Sequence, residues 1–350
     1  MLQHKNILIV SPESWTHLFL SKHHYAVTLA SLGNQVFFLN PPSGREALKH
    51  TEYDNLQVVD YKGFVPGLRF FPKIIRKLAQ RRVFNQIQKR IGLPIDVVWS
   101  FDNSVFFDLD CLPTRVISIS HIVDLNQDFH FDRAAGSAHI CFCSTEHILT
   151  KAKRVNPKSY FINHGYDNQV SRGTFSVGTS QSLKVGYAGS LDMVYIDWDI
   201  IEQVVKKHRQ ITFYFAGKTH QFRLENEENA TYVGKLSKPE LFDFYDQMDL
   251  LILAYKADEY KEQLANPHKM MEYLGTGKPI VATHTHHYSE FSDLIAMSST
   301  NDRWSQVFSE VVDNFDFWSE DSRNRKRRNI ALENTYQKQV ERIGSLIAKL

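Results

Sequence analysis

Short apolar runs of four to six residues, each followed by a longer stretch of helix-forming composition, recur on both sides of a polar interval at residues 171–182. Runs so continuously apolar suit parallel strands covered on both faces better than half-exposed ones. The first half reads as strand 7–10, helix 21–32 ended by Gly33, and strand 36–39, with later strands near 96–101, 115–120, 138–143 and 160–162. The second half restarts the pattern with strand 184–189, helix 198–208, strands 211–216 and 231–233, helix 239–248 and strand 250–254. The interval between them is rich in Gly, Ser and Thr and has the composition of a flexible linker. Repeated βα units flanking such an interval predict an α/β chain of two Rossmann-like, doubly wound parallel-sheet domains facing across a cleft, residues 1–170 and 183–329. At 350 residues there is material for a core in each.

Composition excludes several classes. With 43% apolar and 23% charged residues the chain is ordinary for a globular protein, and a net charge of +2 singles out no partner. Cys111, Cys141 and Cys143 are too few for a disulfide framework, which points to a reducing compartment. Cys141 and Cys143 alternate in an apparent strand and read as packed thiols. The N-terminus lacks a signal-peptide core, and no run approaches the ~18 apolar residues of a membrane span, so a cytoplasmic location is expected.

The charge is unevenly distributed. No acidic residue occurs between Tyr61 and Ile95, where nine Lys and Arg alternate with Phe, Leu and Ile. From Pro72 onward the spacing is helical, with Ile74, Leu78, Phe84, Ile87 and Ile91 expected near one face. A basic amphipathic helix can lie on an anionic lipid surface, so residues 62–91 are a candidate peripheral membrane contact. A solvated helix face over a core is the bland alternative. Nucleic acid is not expected, because no recognition motif accompanies the charge.

The stretch most suggestive of chemistry is Asn266-Pro-His-Lys-Met-Met-Glu-Tyr-Leu-Gly-Thr-Gly-Lys-Pro-Ile-Val-Ala-Thr283. Asn-Pro marks a turn where a helix can begin, Gly275-Thr-Gly277 stops that helix, and residues 280–282 read as a buried strand. A helix entrance offers unpaired N–H groups and partial positive charge to a phosphate, and Lys269 adds a full charge there. Glu272, three residues on, shares the face. The two are either a phosphate and ribose pair or an ordinary surface ion pair.

This stretch resembles the nucleotide-sugar motif of GT-B glycosyltransferases, closest to the retaining group 1 or family-4 enzymes, with their pattern Glu-x(7)-Glu-Ala-x-Ala-x-Gly-x-Pro-Val-Val-Ala. The resemblance implies that Glu272 contacts the donor ribose; the family's first Glu falls at Leu264. Asn266-Pro-His-Lys269 resembles a bacterial subgroup that also lacks that first Glu, and brings Asn266 to the donor side. Tyr187-Ala-Gly-Ser-Leu191 is similar to the family's Tyr-Val-Gly-Arg-Leu loop, which places Gly189 and Ser190 at the donor diphosphate. The family Arg is absent, and Lys218 and Lys269 are its expected replacements. Asn229-Ala-Thr-Tyr-Val-Gly-Lys-Leu-Ser237 resembles a further family segment whose backbone, here Gly234 and Lys235, reads the base. His284, after the last strand, is expected near the donor.

By the same resemblance the loop at 11–20 helps shape the acceptor side, with Ser14, Trp15 and His17 as candidates. His121 follows directly on an expected strand with Asp124 three residues on, a pair that could act as base and orienting carboxylate; Lys269 completes the expected catalytic set. GT-B chains commonly end in a helix crossing back to the first domain, which assigns residues from about 330 to 350 to it. Two Asp-x-Asp triplets, at 108–110 and 197–199, invite a metal-dependent GT-A reading, but neither follows a convincing strand. His284, His286 and His287 have no partners at zinc-ligand spacing, so no metal or cofactor is expected.

The implied function is retaining transfer of a sugar from a nucleoside diphosphate sugar to a glycan or lipid-linked acceptor, in bacterial surface polysaccharide synthesis. Two other readings share the same residues: a GT-B epimerase or phosphorylase, and a catalytically silent nucleotide-sugar-binding partner of a glycan assembly complex.

Overall fold

The computed structural model describes residues 2–104, 108–124, 130–169, 173–178 and 181–350. The chain divides into two compact units, residues 1–165 with 336–350, and residues 166–335.

Unit 1 begins with β1 (Asn6–Val10), α1 (Ser21–Ser31), β2 (Gln35–Leu39), β3 (Ala47–His50) and β4 (Leu56–Asp60). It continues with α2 (Lys73–Ile91), β5 (Val97–Ser100), β6 (Ile117–Ile122), α3 (Phe131–Ser137), β7 (Ile140–Cys143), α4 (Glu146–Lys153) and β8 (Ser159–Phe161). Among the described residues these strands form a sheet in the order β3-β4-β2-β1-β5-β6-β7-β8. All neighbours pair in parallel except β3 with β4. The order reverses direction about β1, so the loops leaving β1 and β5 diverge at the sheet's carboxyl edge, where open α/β sheets offer a crevice. Cys141 and Cys143 are buried thiols on β7, as their alternation suggested.

Unit 2 contains β9 (Lys184–Ala188), α5 (Trp198–Lys207), β10 (Thr212–Ala216), β11 (Ala230–Gly234), α6 (Lys238–Gln247), β12 (Leu250–Leu253), α7 (Lys269–Thr276), β13 (Ile280–Ala282) and β14 (Ala296–Met297). The helices α8 (Trp304–Asp313), α9 (Phe315–Trp318) and α10 (Asp321–Leu332) follow. Its sheet runs β11-β10-β9-β12-β13-β14, parallel throughout. The first and last elements of the reversal are β9 and β12, which places their following loops beside each other at the carboxyl edge.

The last helix, α11 (Tyr336–Ile347), belongs to unit 1. Its Tyr336, Val340 and Ile343 enter the core built on β1, β2, β5 and α1, and the Tyr336 ring stacks on His24 at 4.7 Å. The expected return near residue 330 therefore falls at 336, after the separate helix α10 has ended in unit 2.

Three expectations are corrected. Residues 173–178 are docked on unit 2 and do not behave as a free linker: Phe175 N–H donates to Asp243 Oδ2 (3.2 Å), Val177 N–H to Gln247 Oε1 (2.9 Å), and Phe175 packs on Phe244. Two apolar side chains in a polar stretch suffice to hold it. On α2, Gln80, Phe84, Ile87 and Ile91 form the buried face, while Ile74 and Leu78 are 74% and 66% exposed. At 100° per residue Ile74 lies about 120° from Gln80, so the two halves of the apolar pattern belong to different faces. Finally, the basic segment is not free of acids in space. Asp108 pairs with Arg76 (3.1 Å) and Arg133 (3.0 Å), and Asp110 with Lys77 (2.5 Å).

The second aspartate triplet also has a structural role. Asp197 caps α5 by accepting from Ile200 N–H (3.3 Å), and its other oxygen accepts from Asn301 Nδ2 (2.6 Å).

Candidate functional site

The carboxyl edge of the unit 2 sheet gathers most of the donor-side candidates. Gly189 and Ser190 leave β9, Gly217 and Lys218 leave β10, and Gly234 and Lys235 close β11. Backbone bonds tie these turns side by side: Gly189 N–H donates to Ala216 O (2.9 Å), Leu191 N–H to Lys218 O (2.9 Å), and Gly217 N–H to Gly234 O (2.8 Å). A Cβ on Gly217 would lie 1.7 Å from the Gly189 carbonyl oxygen, so no side chain fits there. Asp192 fastens the second turn by accepting from Thr219 Oγ1 (2.8 Å) and His220 N–H (3.1 Å). Ser190, Lys218 and Lys235 project from these turns as exposed side chains.

The helix entrance meets the first turn. Lys269 is the first residue of α7, and a Cβ on Gly189 would come within 2.9 Å of its Nζ. The ammonium also lies 5.7 Å from the centroid of the Tyr187 ring. Among the described residues it has no carboxylate partner and no hydrogen-bond acceptor. A cation at the positive end of a helix dipole, half-buried and without a counter-ion, is electrostatically unfavourable alone. An anion seated between the α7 entrance and the Gly189 turn removes that penalty, and the turn's missing side chain leaves room for it.

One turn along, Glu272 is held in place. Tyr245 Oη donates to its Oε2 (2.8 Å), and His268 Nδ1 stands 3.6 Å from its Oε1. The carboxylate remains about a quarter exposed. Asn266 is buried beside the entrance, and His287 N–H donates to Ala265 O (2.9 Å), which joins this loop to the one carrying the exposed His284. Leu264, where the family pattern has its first Glu, is packed in the core and 6% exposed.

Sequence reasoning missed what holds α7 from behind. Arg327 on α10 is fully buried and donates to four oxygens: Leu294 O (2.8 Å), Gly277 O (2.9 Å), Asn324 Oδ1 (2.9 Å) and Trp318 O (2.7 Å). Arg328 Nε donates to Thr276 O (3.0 Å). Two guanidinium groups thus take the terminal carbonyls of α7, where the dipole favours cations. Nothing in the polar run Asp321–Leu332 distinguishes Arg327 from its basic neighbours, so no local signal could have found it.

In unit 1 the structure separates residues that had been paired. His121 lies within β6, not after it, and is 2% exposed. Its ring is enclosed by Trp99, Phe101, Tyr25 and Phe142. Trp99 Nε1 faces its Nδ1 at 3.3 Å. An indole N–H only donates, so Nδ1 is the acceptor and the proton of the neutral ring sits on Nε2. Burial holds the imidazole down to about 3. A ring of this kind donates a hydrogen bond but takes no proton near neutral pH, which corrects the general-base role. Asp124 is exposed, and its charge acts on Lys22.

The loop after β1 is organised by a second buried histidine. His23 accepts Leu20 N–H at Nδ1 (3.1 Å) and donates from Nε2 to Ser14 O (3.1 Å), with burial lowering it to about 4. Trp15 wedges against Phe19, Phe38 and Tyr53, Ser14 Oγ meets Thr16 Oγ1 (3.1 Å), and His17 is exposed. At the same edge Lys22, 4% exposed, is ion-paired with Glu13. Their nine-residue separation follows no helix or strand period; only the strand-loop-helix path brings them together.

Both histidines make unit 1 acid-labile. Unfolded, they charge near pH 6.5; folded, only near 4 and 3. Between these values the unfolded chain binds more protons, so their contribution is complete above about pH 6.5 and lost as pH falls. Urea unfolding at pH 7 and pH 5 is expected to show a loss of a few kcal/mol, since each pKa unit is worth about 1.4 kcal/mol. The loss should shrink in His121→Asn, which cannot titrate.

A parallel sheet whose carboxyl edge carries an anion-seeking helix entrance, beside glycine turns and a tethered carboxylate, defines a nucleotide-binding α/β unit. Its residues 183–301 match the model of the group 1 glycosyl transferases. A search of curated proteins finds no match. Among solved structures the chain is similar to sucrose-phosphate synthase from Thermosynechococcus elongatus, with a TM-score of 0.69 and 8% identity over 99% of this chain and 98% of that one. It is similar to Anabaena Alr3699/HepE in complex with UDP-glucose (TM-score 0.68, 12% identity, 99% of this chain and 100% of that one). A glycosyltransferase from Rickettsia africae gives 0.69 and 11%, over 99% and 98%. At such identities the structural likeness speaks for the fold, which is GT-B; the match in unit 2 supplies the class. The chain has the GT-B fold, and its residues 183–301 carry a group 1 glycosyl transferase domain.

Proposed function

We propose that the protein transfers a sugar from a uridine diphosphate sugar to a glycan or lipid-linked acceptor, with retention of configuration and without metal or other cofactor, in bacterial surface polysaccharide synthesis on the cytoplasmic side. The uncompensated Lys269 ammonium at the α7 entrance, against the Gly189 turn, carries this reading. As the sugar–phosphate bond breaks, negative charge builds on the departing diphosphate, and a fixed cation and oriented N–H groups stabilise it most at that moment. Glu272, held by Tyr245, would accept the ribose hydroxyls, and backbone around Gly234 would meet the base. His121 would orient an acceptor hydroxyl by donating from Nε2, and the released diphosphate would take the acceptor's proton. The UDP-glucose bound by HepE favours uridine as the base.

The test is a panel of nucleoside diphosphate sugars offered with and without oligosaccharide acceptors. Release of nucleoside diphosphate with an anomer matching the donor is expected. Tight donor binding without turnover would favour the silent partner instead.

A further inference from the structure

One surface of unit 1 is built from groups that do not belong in water. Phe70, Ile74 and Leu78 are 77%, 74% and 66% exposed, and Val65, Phe71 and Ile75 are exposed beside them. Ile74 and Leu78 are four residues apart and share a face at the start of α2, and Phe70 ends the short 3-10 turn just before it, so the three form one exposed apolar ridge. Isolated exposed apolar residues need no explanation, but a contiguous ridge marks a contact surface. Among the described residues no helix is long and apolar enough to cross a membrane.

Further along α2 a cavity of about 340 Å³ lies between the helix and the segment at 59–65. Ile75, Ala79, Arg82 and Gln86 follow a single helical stripe from the ridge to the cavity, and exposed Val65 lines the cavity mouth. Of its charged lining groups, Arg90 is taken by Glu46 (2.7 Å), and Asp60 by Lys49 (2.7 Å) and Asn40 (2.7 Å). Lys62 and Arg82 make no ion pair among the described residues. Arg69 extends over the Phe70 ring, 4.7 Å from its centroid, which sets a cation beside the apolar side chains. Exposed apolar side chains with neighbouring cations that make no ion pair match the chemistry of an acyl boundary beside a layer of phosphates.

We propose that this face of unit 1 lies on an anionic lipid surface, with Phe70, Ile74 and Leu78 entering the acyl boundary and Lys62 and Arg82 engaging head-group phosphates. A second copy of the chain is the competing occupant, but a two-fold contact would bring this basic patch onto a second patch of the same sign. The proposal extends the lipid-linked reading of the acceptor and rests on it only for its purpose, since the surface is distinct from the donor site.

Co-sedimentation of the full chain with vesicles tests it. Binding is expected to vesicles of phosphatidylcholine with phosphatidylglycerol, at least tenfold weaker to phosphatidylcholine alone, and weakened by salt. The variant Phe70→Ser/Ile74→Ser/Leu78→Ser, altered only at exposed positions, should lose tenfold or more in vesicle affinity while releasing nucleoside diphosphate from the donor in solution at the wild-type rate. Lys62→Gln/Arg82→Gln should lose the preference for anionic vesicles. No binding to anionic vesicles at low salt, or binding undiminished in the triple variant, overturns the proposal. So does a wild-type dimer that the triple variant converts to monomer. Loss of donor turnover in wild type with vesicle binding intact would instead count against the transfer reading alone.

Discussion

Lys269→Ala is expected to lower kcat/KM for donor turnover by 100-fold or more and to leave the fold intact. The side chain makes no ion pair among the described residues, so its removal orphans no carboxylate. It also relieves the opposition between a cation and the α7 dipole in the unliganded protein, which makes the variant as stable as wild type or slightly more so. Its cost falls on the reaction, because charge on the departing diphosphate is greatest in the transition state. Losing one preorganised charge there typically costs about 10²–10³ in rate. The effect should therefore appear mainly in kcat. Glu272→Ala provides the contrast: a ribose contact is the same before and during bond breaking, so KM should rise with a smaller change in kcat. Tyr245→Phe, which removes the hydroxyl that holds Oε2, should move in the same direction as Glu272→Ala and by less. Equal turnover by wild type and Lys269→Ala, measured as release of nucleoside diphosphate, would remove the charge-stabilising role.

The parts of this arrangement visible in the sequence are those set by neighbouring residues. Continuous apolar runs mark both sheets because a parallel strand covered on both faces has no polar side to show. The helix entrance at Lys269 and its stop at Gly277 were legible for the same reason: turn chemistry and helix caps are written within a few positions. His121 was misplaced by a boundary. Ending its strand at Ser120 turned a core imidazole into an edge base, because His121 breaks the apolar-polar alternation of Ile117–Ser120 while β6 runs on to Ile122. The α2 pattern failed differently, since its two apolar groups are each helical but out of phase by about a third of a turn. The acids that neutralise Arg76 and Lys77 come from residues 108 and 110, a separation that no window on the chain spans. Long-range polar contacts of this sort, Lys22 with Glu13 and Tyr245 with Glu272 among them, have no period.

Arg327 is the extreme case of that blindness and carries the largest expected effect on stability. Its charge is buried among oxygens that are carbonyls, one amide included, with no carboxylate among its hydrogen-bond partners in the described residues. Burial lowers it to about 10, which still leaves it charged at neutral pH. The compensation comes from helix ends: Gly277 closes α7, and Trp318 closes α9. Hydrogen bonds to a charged group contribute about 1.5–3 kcal/mol each, and truncation leaves their partners buried and unsatisfied. Arg327→Ala should accordingly destabilise unit 2 by about 4 kcal/mol, and its melting temperature should fall by about 10 °C. Arg327→Lys should recover less than half of this, because one ammonium cannot reach acceptors arranged for a planar fork. Since α7 carries Lys269 at its other end, any Arg327→Ala protein that remains folded should bind donor more weakly, and saturating donor should raise its melting temperature. Thermal melts of the full chain with and without donor decide the matter. A melting temperature within 2 °C of wild type in Arg327→Ala would show that α7 is held from elsewhere.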